Sequence, residues 1–454
     1  MYYWWDMPNE ERKEEVLIMK RWNNGIRFIL RLFALLVILV ISAVSCLSLC
    51  GFSNVKCIND FAYVLALGLD KGTTGPLRLT FQIAVPTTIT SSSGDGASQD
   101  SSITTVECSS IEAGINILND YLSKEVTLRH CKVLVFSEEL VSESIFPYLN
   151  SLFNDVDLRP TCSVFISRSD TTSFLTASGT HFQGLTAKSY ELTSESIQYN
   201  GYIANSRLGT FFSSIHDTFS QGFATLVSVN NSDTIQQTSD LVPSLNAIGT
   251  DFDANHLAGE STINRNQNSA EHLGIAVFQR GQFVGELTAI ETLCHLFVTN
   301  HLREAHVSIP DPLQNDQYLD VLLSPRRKTK TKVKIVNGSP FIEVDIALEA
   351  KLLSINSKED YSKDEITQLI EEYATRYFEQ NTLEYLYTTA KIYQADIAGF
   401  GSKAASHFLF WEDWLEYDWL NRYQDSFRLP SPFVFFLTKD FLGGSYVIFP
   451  LFTS

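Results

Sequence analysis

The sequence predicts an α/β or α+β protein: a multi-domain exported region of mixed sheets flanked by helices, preceded by one N-terminal transmembrane or signal helix. A charge-free apolar run at residues 32–51 predicts the N-terminal helix. Downstream, apolar or alternating strand patterns are separated by stretches of helical spacing, which is typical of mixed α/β regions. The chain has 454 residues, 44% of them hydrophobic, and that length predicts two or three domains.

Residues 1–51 are predicted to form a cytoplasmic leader and a membrane segment. The apolar run from Leu32 to Gly51 is long enough to cross a bilayer, which takes about 20 helical residues. Only Lys56 follows this run closely, whereas four cations precede it: Lys20, Arg21, Arg27 and Arg31. Because cations favour the cytoplasmic side, we expect the N-terminus inside and everything after residue 51 outside.

The mode of anchoring has two interpretations. If translation starts at Met19 instead of Met1, a short basic leader precedes the apolar run, as in a signal peptide. The segment Ala43–Cys46 then matches a loose lipobox, and Cys46 is the residue that carries the lipid. Otherwise the helix is retained uncleaved as a permanent anchor. The residues leave both the start site and the type of anchor open.

Residues 52–230 are predicted to form the first exported region, a mixed α/β region. Apolar or alternating runs predict four strands, at Phe61–Asp70, Leu77–Ile83, Lys132–Phe136 and Thr161–Ser167. Apolar residues at helical spacing predict helices at Ile111–Tyr121 and Leu140–Phe153. The turn residues at 71–76 connect the first two strands, and the Ser-, Thr- and Gly-rich stretch 87–104 is predicted to be a mobile loop.

A domain boundary is predicted in the polar stretch 231–270, which is rich in Asn, Ser, Asp and Thr and poor in large apolar residues. Residues 271–454 then form the second exported region. It opens with two short predicted strands at 274–278 and 283–287, joined by a turn at Gly281.

Farther along, the second region contains a predicted hairpin and a predicted long helix. Alternating segments at 324–335 and 341–348 flank Asn337–Gly338, a strong hairpin signal. A capping box from Ser362 to Glu365 predicts the start of the helix. Its predicted buried face carries Ile366, Leu369, Ile370, Tyr373 and Tyr377.

Composition and motifs disfavour several functional classes. Asp plus Glu number 52 against 34 Lys plus Arg, and the resulting formal charge of −18 argues against a nucleic-acid binder. The seven cysteines form no CxxC pair, which argues against a disulfide scaffold or a structural zinc site. No HExxH, GxSxG or Walker A sequence occurs, so we expect no catalytic residue, no cofactor and no metal.

The remaining polar candidates each have a structural interpretation. Gly399–Ala404 fits the loose dinucleotide pattern GxGxxA, but it follows a helical stretch, so a helix-terminating turn explains it better. Near Cys294, three histidines lack ligand spacing: His295, His301 and His306. His130 is expected to be a hydrogen-bonded structural residue, with a pH switch as the alternative. The lysine row at 328–334 is expected to face solvent, with lipid headgroups or an acidic partner as the alternative.

Five segments, in order along the exported chain, carry a resemblance to a known family. They are Ile58–Gly72, which includes Asp70; Leu79–Pro86; Arg129–Leu140, which includes His130; Gly274–Thr292, which includes Gly285; and Asp396–Gly401, which includes Gly399. Each segment alone is weak, but five in this order are specific. On these segments the chain resembles the Ger(x)C family, the C subunit of GerA-type nutrient germinant receptors in spore-forming bacteria.

The resemblance implies a non-enzymatic, membrane-anchored receptor subunit that is needed for nutrient-triggered spore germination. The implied partners are the A and B subunits of the receptor, one polytopic and one transporter-like, and membrane lipid. The implied location is the spore inner membrane, with the bulk of the chain on the outer face. The competing hypothesis is an exported solute-binding or enzymatic lipoprotein of unknown ligand, which requires a ligand or catalytic constellation not found in the sequence.

The chain departs from the family pattern at one position. Phe52 stands where the family's lipid-bearing cysteine belongs, so acylation at the usual position is impossible. Anchoring must therefore use the uncleaved helix or a shifted cysteine such as Cys46.

The family-motif residues are predicted to be structural; they are Asp70, His130, Gly274, Gly285, Asp396, Gly399 and Gly401. Asp396 is expected at the end of a long helix, where Gly399 and Gly401 supply the positive φ that lets the helix stop. Its carboxylate is expected to accept backbone N–H groups or to pair with Lys403.

Overall fold

The computed structural model describes residues 9–50, 58–85, 101–178, 186–230, 255–260, 269–314, 317–355, 361, 363–430 and 434–438. Two compact units are present, residues 1–60 and residues 61–454. In the first unit a helix, α1 (Asn9–Cys50), precedes a 3₁₀ turn at Ile58–Asp60. Within α1, the 27-residue stretch Lys20–Cys46 contains an 18-residue window with a mean hydropathy of 2.7, none of it buried. The stretch is long and apolar enough to cross a membrane. The prediction of an N-terminal apolar helix is confirmed.

The first sheet of the second unit contains nine strands among the described residues. They are β1 (Phe61–Lys71), β2 (Leu77–Ala84), β3 (Ser101–Cys108), β4 (Glu125–Thr127), β5 (Val133–Ser137), β6 (Ser163–Ser167), β7 (Phe223–Asn230), β8 (Ser269–Gln279) and β9 (Gln282–Leu287). Their order is β3-β2-β1-β5-β6-β7-β8-β9, and β4 pairs with β1. The central strands β1, β5, β6 and β7 are parallel, and the outer pairs are antiparallel.

Helices cover both faces of this sheet. They are α2 (Ile111–Leu122), α3 (Glu138–Val141), α4 (Phe146–Phe153), α5 (Thr171–Ser178), α6 (Thr186–Asn200) and α7 (Leu208–His216). In β5, Leu134 and Phe136 belong to one core, whereas Val133 and Val135 belong to another on the opposite face. A strand buried on both faces is apolar throughout, which explains why β5 was predictable as an uninterrupted apolar run.

The C-terminal part of the second unit contains two smaller sheets. One has the order β10-β11-β14-β16, from β10 (Ala305–Pro310), β11 (Tyr318–Pro325), β14 (Ala347–Ile355) and β16 (Val434–Thr438). The other has the order β12-β13-β15, from β12 (Lys330–Val336), β13 (Ser339–Asp345) and β15 (Phe427–Pro430). The helices here are α8 (Ala289–Thr299), α9 (Asp364–Tyr387), α10 (Gly401–Ala404), α11 (Trp411–Tyr417) and α12 (Trp419–Arg422).

The predicted hairpin is present as β12 and β13. Both turn residues have positive φ, 52° at Asn337 and 81° at Gly338, as a two-residue turn of the right twist requires. Along β12, Lys330, Lys332 and Lys334 are exposed while Val333 is buried, so the lysine row faces outward. The other edge of β12 is covered by side chains: Lys403 Nζ donates to Thr331 O at 3.2 Å, and His407 Nε2 donates to Val333 O at 2.7 Å.

Several predicted bounds in the first region need correction. The end of the predicted loop 87–104 is part of β3, and the rest of that loop up to residue 100 lies outside the described residues. The predicted helix at 140–153 is two helices, α3 and α4, with Pro147 in the first turn of α4, where proline can begin a helix.

The strands after the predicted boundary continue the first sheet. Most of the polar stretch 231–270 lies outside the described residues. On its far side, β8 pairs antiparallel with β7, so β8 and β9 complete the first sheet instead of opening a new one. The side chains of β8 nevertheless face both ways: Ala276 and Phe278 belong to the first-region core, while Ile275 and Val277 belong to the C-terminal core.

The predicted long helix and second hairpin strand also differ in detail. Helix α9 begins at Asp364, and Ser362 lies outside the described residues. The buried face of α9 is rotated from the prediction, because Leu369 is 42% exposed; it carries Thr367, Ile370, Ala374, Tyr377 and Phe378. The segment predicted as one strand at 341–348 divides at Ile346 between β13 and β14, which lie in different sheets.

Candidate functional site

The family-motif aspartate of the C-terminal region is buried and fully engaged. Asp396 is 0% exposed, and its Oδ1 accepts from the Phe400 N–H at 3.1 Å. Its Oδ2 accepts from the Gly401 N–H at 2.8 Å and from Trp419 Nε1 at 3.0 Å. The Asp396 carbonyl accepts from the Gln221 N–H at 2.9 Å. We call this set, together with Phe219, the Asp396 junction; it connects three separate stretches of the chain.

The predicted position of Asp396 at the end of a long helix is wrong. Helix α9 ends at Tyr387, a π-turn follows at Thr388–Ile392, and Gln394 takes the left-handed conformation with φ 52°. Asp396 comes after this exit and precedes the short helix α10, whose first N–H it receives. The carboxylate therefore faces N–H groups at a helix start, the end that favours an anion. The predicted acceptance of backbone N–H groups is observed, while Lys403 donates to Thr331 O.

The two glycines of this motif have different roles. Gly399 has φ 72°, as predicted, and the nearest atom to a Cβ placed there is 4.0 Å away. Gly401 does not have positive φ; instead, a Cβ at Gly401 would lie 2.3 Å from Phe219 O and 2.6 Å from Trp419 Nε1. Gly401 is therefore required by close approach, because any side chain there pushes apart the backbone and indole that the junction joins.

Aromatic rings surround the junction. Trp419 and Trp414 are buried and stacked with ring centroids 6.1 Å apart, and Trp414 stacks on Phe219 at 5.3 Å. Trp414 Nε1 donates to Thr218 Oγ1 at 3.0 Å. Trp411 contacts Phe219 edge-on but is 52% exposed. Two of the three tryptophans thus serve internal packing.

The motif glycines Gly274 and Gly285 allow other close contacts. Gly274 has φ 91° at an irregularity of β8, where a Cβ would lie 2.5 Å from Leu287 O. Gly285 lies under the Tyr393 ring, so that a Cβ there would be 2.2 Å from a ring carbon. Tyr393 Oη donates to the Glu286 carbonyl at 2.7 Å, which holds the chain after α9 against β9.

A second buried carboxylate, Asp70, lies in the first region. It is 3% exposed at the end of β1, accepts from the Thr171 N–H at 3.0 Å, and accepts from the Thr171 hydroxyl. An Arg78 nitrogen lies 3.6 Å from its Oδ2. Gly68 leaves the space for Thr171, since a Cβ at Gly68 would lie 2.3 Å from Oγ1. We call these four residues the Asp70 junction. Burial raises the pKa of Asp70, and the Thr171 hydrogen bonds and Arg78 act against that rise.

His130 lies in the turn before β5, not in the strand. Its side chain is exposed, and its ring contacts Tyr63 edge-on with centroids 5.1 Å apart. The neighbouring Arg129 pairs with Asp157 at 2.9 Å. His130 therefore occupies a surface position, and the structural role predicted for it stays a prediction.

The histidines near Cys294 are separated by burial. Cys294 and His295 are buried in α8, whereas His301 and His306 are exposed. His295 Nδ1 lies 2.9 Å from Tyr385 Oη, and burial lowers the pKa of His295 to about 3. Burial likewise raises the pKa of Cys294 to about 12. Within the described part of the chain, no group of three or more His, Cys, Asp or Glu side chains is placed to hold a metal ion.

One charged cluster was not predicted from the sequence. Arg168, just after β6, donates to Ala258 O and Glu260 Oε1, both at 2.9 Å, and its Nε lies 3.2 Å from Glu286 Oε1. Burial raises the pKa of Glu286 to about 7; Arg168 counteracts this rise, while Glu138 and Glu260 add to it. These residues are far apart in sequence, so no local pattern signals the cluster.

Comparison with known proteins gives matches in two consecutive stretches. Residues 54–229 match the family model of the spore germination protein N-terminal domain, and residues 273–427 match that of the spore germination B3/GerAC-like C-terminal domain. A solved structure described as the crystal structure of the GerBC protein is similar at 15% sequence identity and a TM-score of 0.47, covering 82% of this chain and 96% of that chain. No curated protein matches the chain.

Proposed function

The chain belongs to the Ger(x)C family of spore germination proteins, and on that premise we propose that it is a non-enzymatic, membrane-anchored subunit of a nutrient germinant receptor. In this role it assembles with an A and a B subunit in the spore inner membrane. The bulk of the chain, from residue 52 onward, lies on the outer face.

One observation carries the proposal: a helix able to cross a membrane is followed, on the same chain, by the N-terminal and then the C-terminal spore germination domain. The cations before the apolar part of α1 support an inside N-terminus. With the N-terminus inside, the chain can contact membrane-embedded partners through α1. Its folded region can contact partners outside the membrane.

The way the motif residues are used supports a structural, non-catalytic role. Asp70 and Asp396 are both buried and hydrogen-bonded to their own chain. Gly285 and Gly401 accommodate an aromatic side chain and a backbone carbonyl, respectively. A catalytic carboxylate needs access to a substrate, whereas these carboxylates hold chain segments together.

Deletion of the gene tests the proposal. Spores without this protein are expected to fail to germinate with one class of nutrient, yet to germinate normally with a trigger that bypasses receptors. Restoring the gene at another locus is the control. Normal responses to every nutrient, in a strain with no second copy of the operon, would contradict the receptor role and leave the exported solute-binding or enzymatic lipoprotein as the remaining hypothesis.

The anchor is tested separately. We propose that α1 is retained, because the helix continues without a break through Cys46 to Cys50. Cys46→Ser should then leave the protein in the membrane and leave its intact mass free of an acyl chain, as in the unaltered protein. Metabolic palmitate labelling that disappears only in Cys46→Ser would instead establish acylation at Cys46. The same mass measurement decides between Met1 and Met19.

A further inference from the structure

Two buried cysteines of the first region touch each other. Cys131 is 3% exposed and Cys162 is 2% exposed, and their sulfur atoms are 3.9 Å apart. Both side chains belong to the same core. The Cys131 thiol also contacts Val133 O at 3.3 Å, so it is held facing the start of β5.

The two cysteines lie beside the point where β5 and β6 begin to pair. The Ser163 N–H, at the start of β6, donates to Lys132 O at 2.9 Å, and Ser163 is the register partner of Val133, at the start of β5. Cys162 lies one residue and Cys131 two residues before this pair. Neighbouring strands lie about 4.8 Å apart. Disulfide bonds typically join Cα atoms about 4.4–6.8 Å apart, with sulfurs separated by about 2.05 Å. The strand spacing lies within that range, so we expect the two sulfurs, 3.9 Å apart, to come together without separation of the strands.

We propose that Cys131 and Cys162 are joined by a disulfide bond in the exported protein. This inference rests on the proposed function for one point only, the location of the folded region outside the cytoplasm, where disulfide bonds persist. The seven cysteines lack the spacing of a disulfide scaffold. The proposed bond is instead a single crosslink between residues that precede two central strands, β5 and β6.

The chemistry is thiol–disulfide exchange with a disulfide oxidant, either an oxidoreductase in its disulfide form or a small-molecule disulfide. Two cysteine S–H bonds and the oxidant's S–S bond break, and one S–S bond forms between the cysteines. The two protons and two electrons that the cysteines lose convert the oxidant's disulfide to two thiols. In the folded protein, burial raises the pKa of the Cys162 thiol, which disfavours the attacking thiolate. The exchange therefore takes place as the exported chain folds, before β5 and β6 are covered.

The bond would connect residues 31 apart in sequence, and one of them, Cys131, lies within the motif segment that contains His130. A crosslink of this length restricts the unfolded chain and so stabilises the folded one. It would fix the starts of β5 and β6 to each other, and with them the turn that presents His130 at the surface.

Peptide mapping of the full-length protein tests the proposal. The protein is extracted from spore membranes under acid quench, blocked with N-ethylmaleimide under denaturing conditions, and digested without reduction. We expect a linked peptide pair containing Cys131 and Cys162, with Cys108 and Cys294 recovered in blocked form. Reduction before blocking should separate the pair and add two N-ethylmaleimide groups to the intact mass. Recovery of both Cys131 and Cys162 as blocked thiols from the unreduced protein would overturn the proposal.

Matched variants give a second readout. In the unaltered protein, a reductant should lower the melting temperature by a few degrees. Cys131→Ala and Cys162→Ala should each abolish the linked peptide pair and this effect of the reductant. Cys108→Ala, which removes another buried cysteine of the same core, should retain both the linked pair and the drop. If a variant does not accumulate, peptide mapping of the unaltered protein still decides whether Cys131 and Cys162 are linked.

The failure of this proposal is distinguishable from the failure of the proposed function. Protease digestion of intact protoplasts reports the side of the membrane independently of any thiol. A protein that is needed for the nutrient response and digested from outside, but has both thiols free, would refute the disulfide alone. A linked pair in a protein whose loss leaves every nutrient response intact would refute the receptor role alone.

Discussion

The Asp70 and Asp396 junctions each bury an aspartate carboxylate, in two different regions of the molecule, but the hydrogen-bond donors to the two carboxylates differ. Each has a buried carboxylate that receives an N–H at the start of a short helix, and each has a glycine without space for a Cβ. At Asp70, a hydroxyl and a nearby arginine complete the set. At Asp396, all three described side-chain hydrogen bonds come from N–H groups, two of the backbone and one of an indole.

This difference determines how much change each junction tolerates. A hydroxyl both donates and accepts, so it adapts when its partner changes. A backbone or indole N–H only donates, and its position is fixed by the fold. The Asp396 junction is therefore the more rigid of the two, and it is also the one that joins Gln221, from before β7, to the segments around α10 and α12.

The largest effect is expected at Gly401. Gly401→Ala should lower the free energy of unfolding by about 3 kcal/mol, because the new Cβ overlaps the Phe219 carbonyl and the Trp419 indole. The matched control is Gly399→Ala, which meets no close atom and is expected to cost about 1 kcal/mol from its positive φ alone. Urea unfolding of the full chain in detergent, followed by tryptophan fluorescence, measures both. Equal costs would contradict the close approach of Phe219 and Trp419 as the reason for a glycine at position 401.

Exchanging each aspartate for asparagine compares the two junctions directly. Asp396→Asn must place an NH₂ group against at least one fixed N–H donor, so we expect a loss of about 2 kcal/mol. Asp70→Asn can direct its NH₂ toward the Thr171 hydroxyl, which then accepts, so about 1 kcal/mol is expected. The same unfolding assay measures both, with germination efficiency scored per amount of folded protein. A loss of the nutrient response in Asp396→Asn without a loss of stability would replace the structural role with a signalling contact.

Much of the first sheet was predictable because its central strands are apolar on both faces, and the hairpin was predictable because of Asn337–Gly338. Strand β3 was missed because it is a polar, partly exposed strand at one end of the described sheet order, with Ser and Thr where a buried strand carries Val or Ile. The helix exit near Asp396 was misplaced because Gln394, a residue with no preference for positive φ, makes the reversal.

The candidate sites depended on contacts between distant parts of the chain. The order and type of the motif segments indicated their structural importance, but not which donors surround Asp396. The pairing of Arg168 with Glu286 and the contact between Cys131 and Cys162 arise from strand order in the sheet, and no local pattern encodes that order.

A third carboxylate, the half-buried Glu286, is expected to make stability depend on pH. Because the pKa of Glu286 is raised to about 7 in the folded protein, the folded state retains a proton that the unfolded state releases near pH 4.5. The contribution of Glu286 to the free energy of unfolding should therefore fall as pH rises from about 5 to 7, by about 1–2 kcal/mol. In Glu286→Gln this contribution is absent, so the stability of the variant relative to the unaltered protein should increase over that range. A pH-independent difference between the two proteins would contradict the raised pKa.

The smallest effect is expected for an exposed carboxylate. Glu343 pairs with Lys334 at 2.9 Å on the outer face of the hairpin, where water and salt screen the charges. Lys334→Met should change the free energy of unfolding by no more than about 0.5 kcal/mol. The measurement is the unfolding midpoint at low and at high salt, and the two values should differ little. A larger loss would place Lys334 among the residues that hold the hairpin together, alongside the buried junctions.

The covering of β12 by Lys403 and His407 affects how copies of this protein can coexist. The free edge of a sheet is a template onto which a strand of another molecule can add. At β12, the carbonyl groups of Thr331 and Val333 are already bonded to side chains of the same molecule. Three outward-facing lysines further disfavour the approach of an identical, equally charged edge. Copies of the protein that come into contact are therefore not expected to polymerise through the β12 edge.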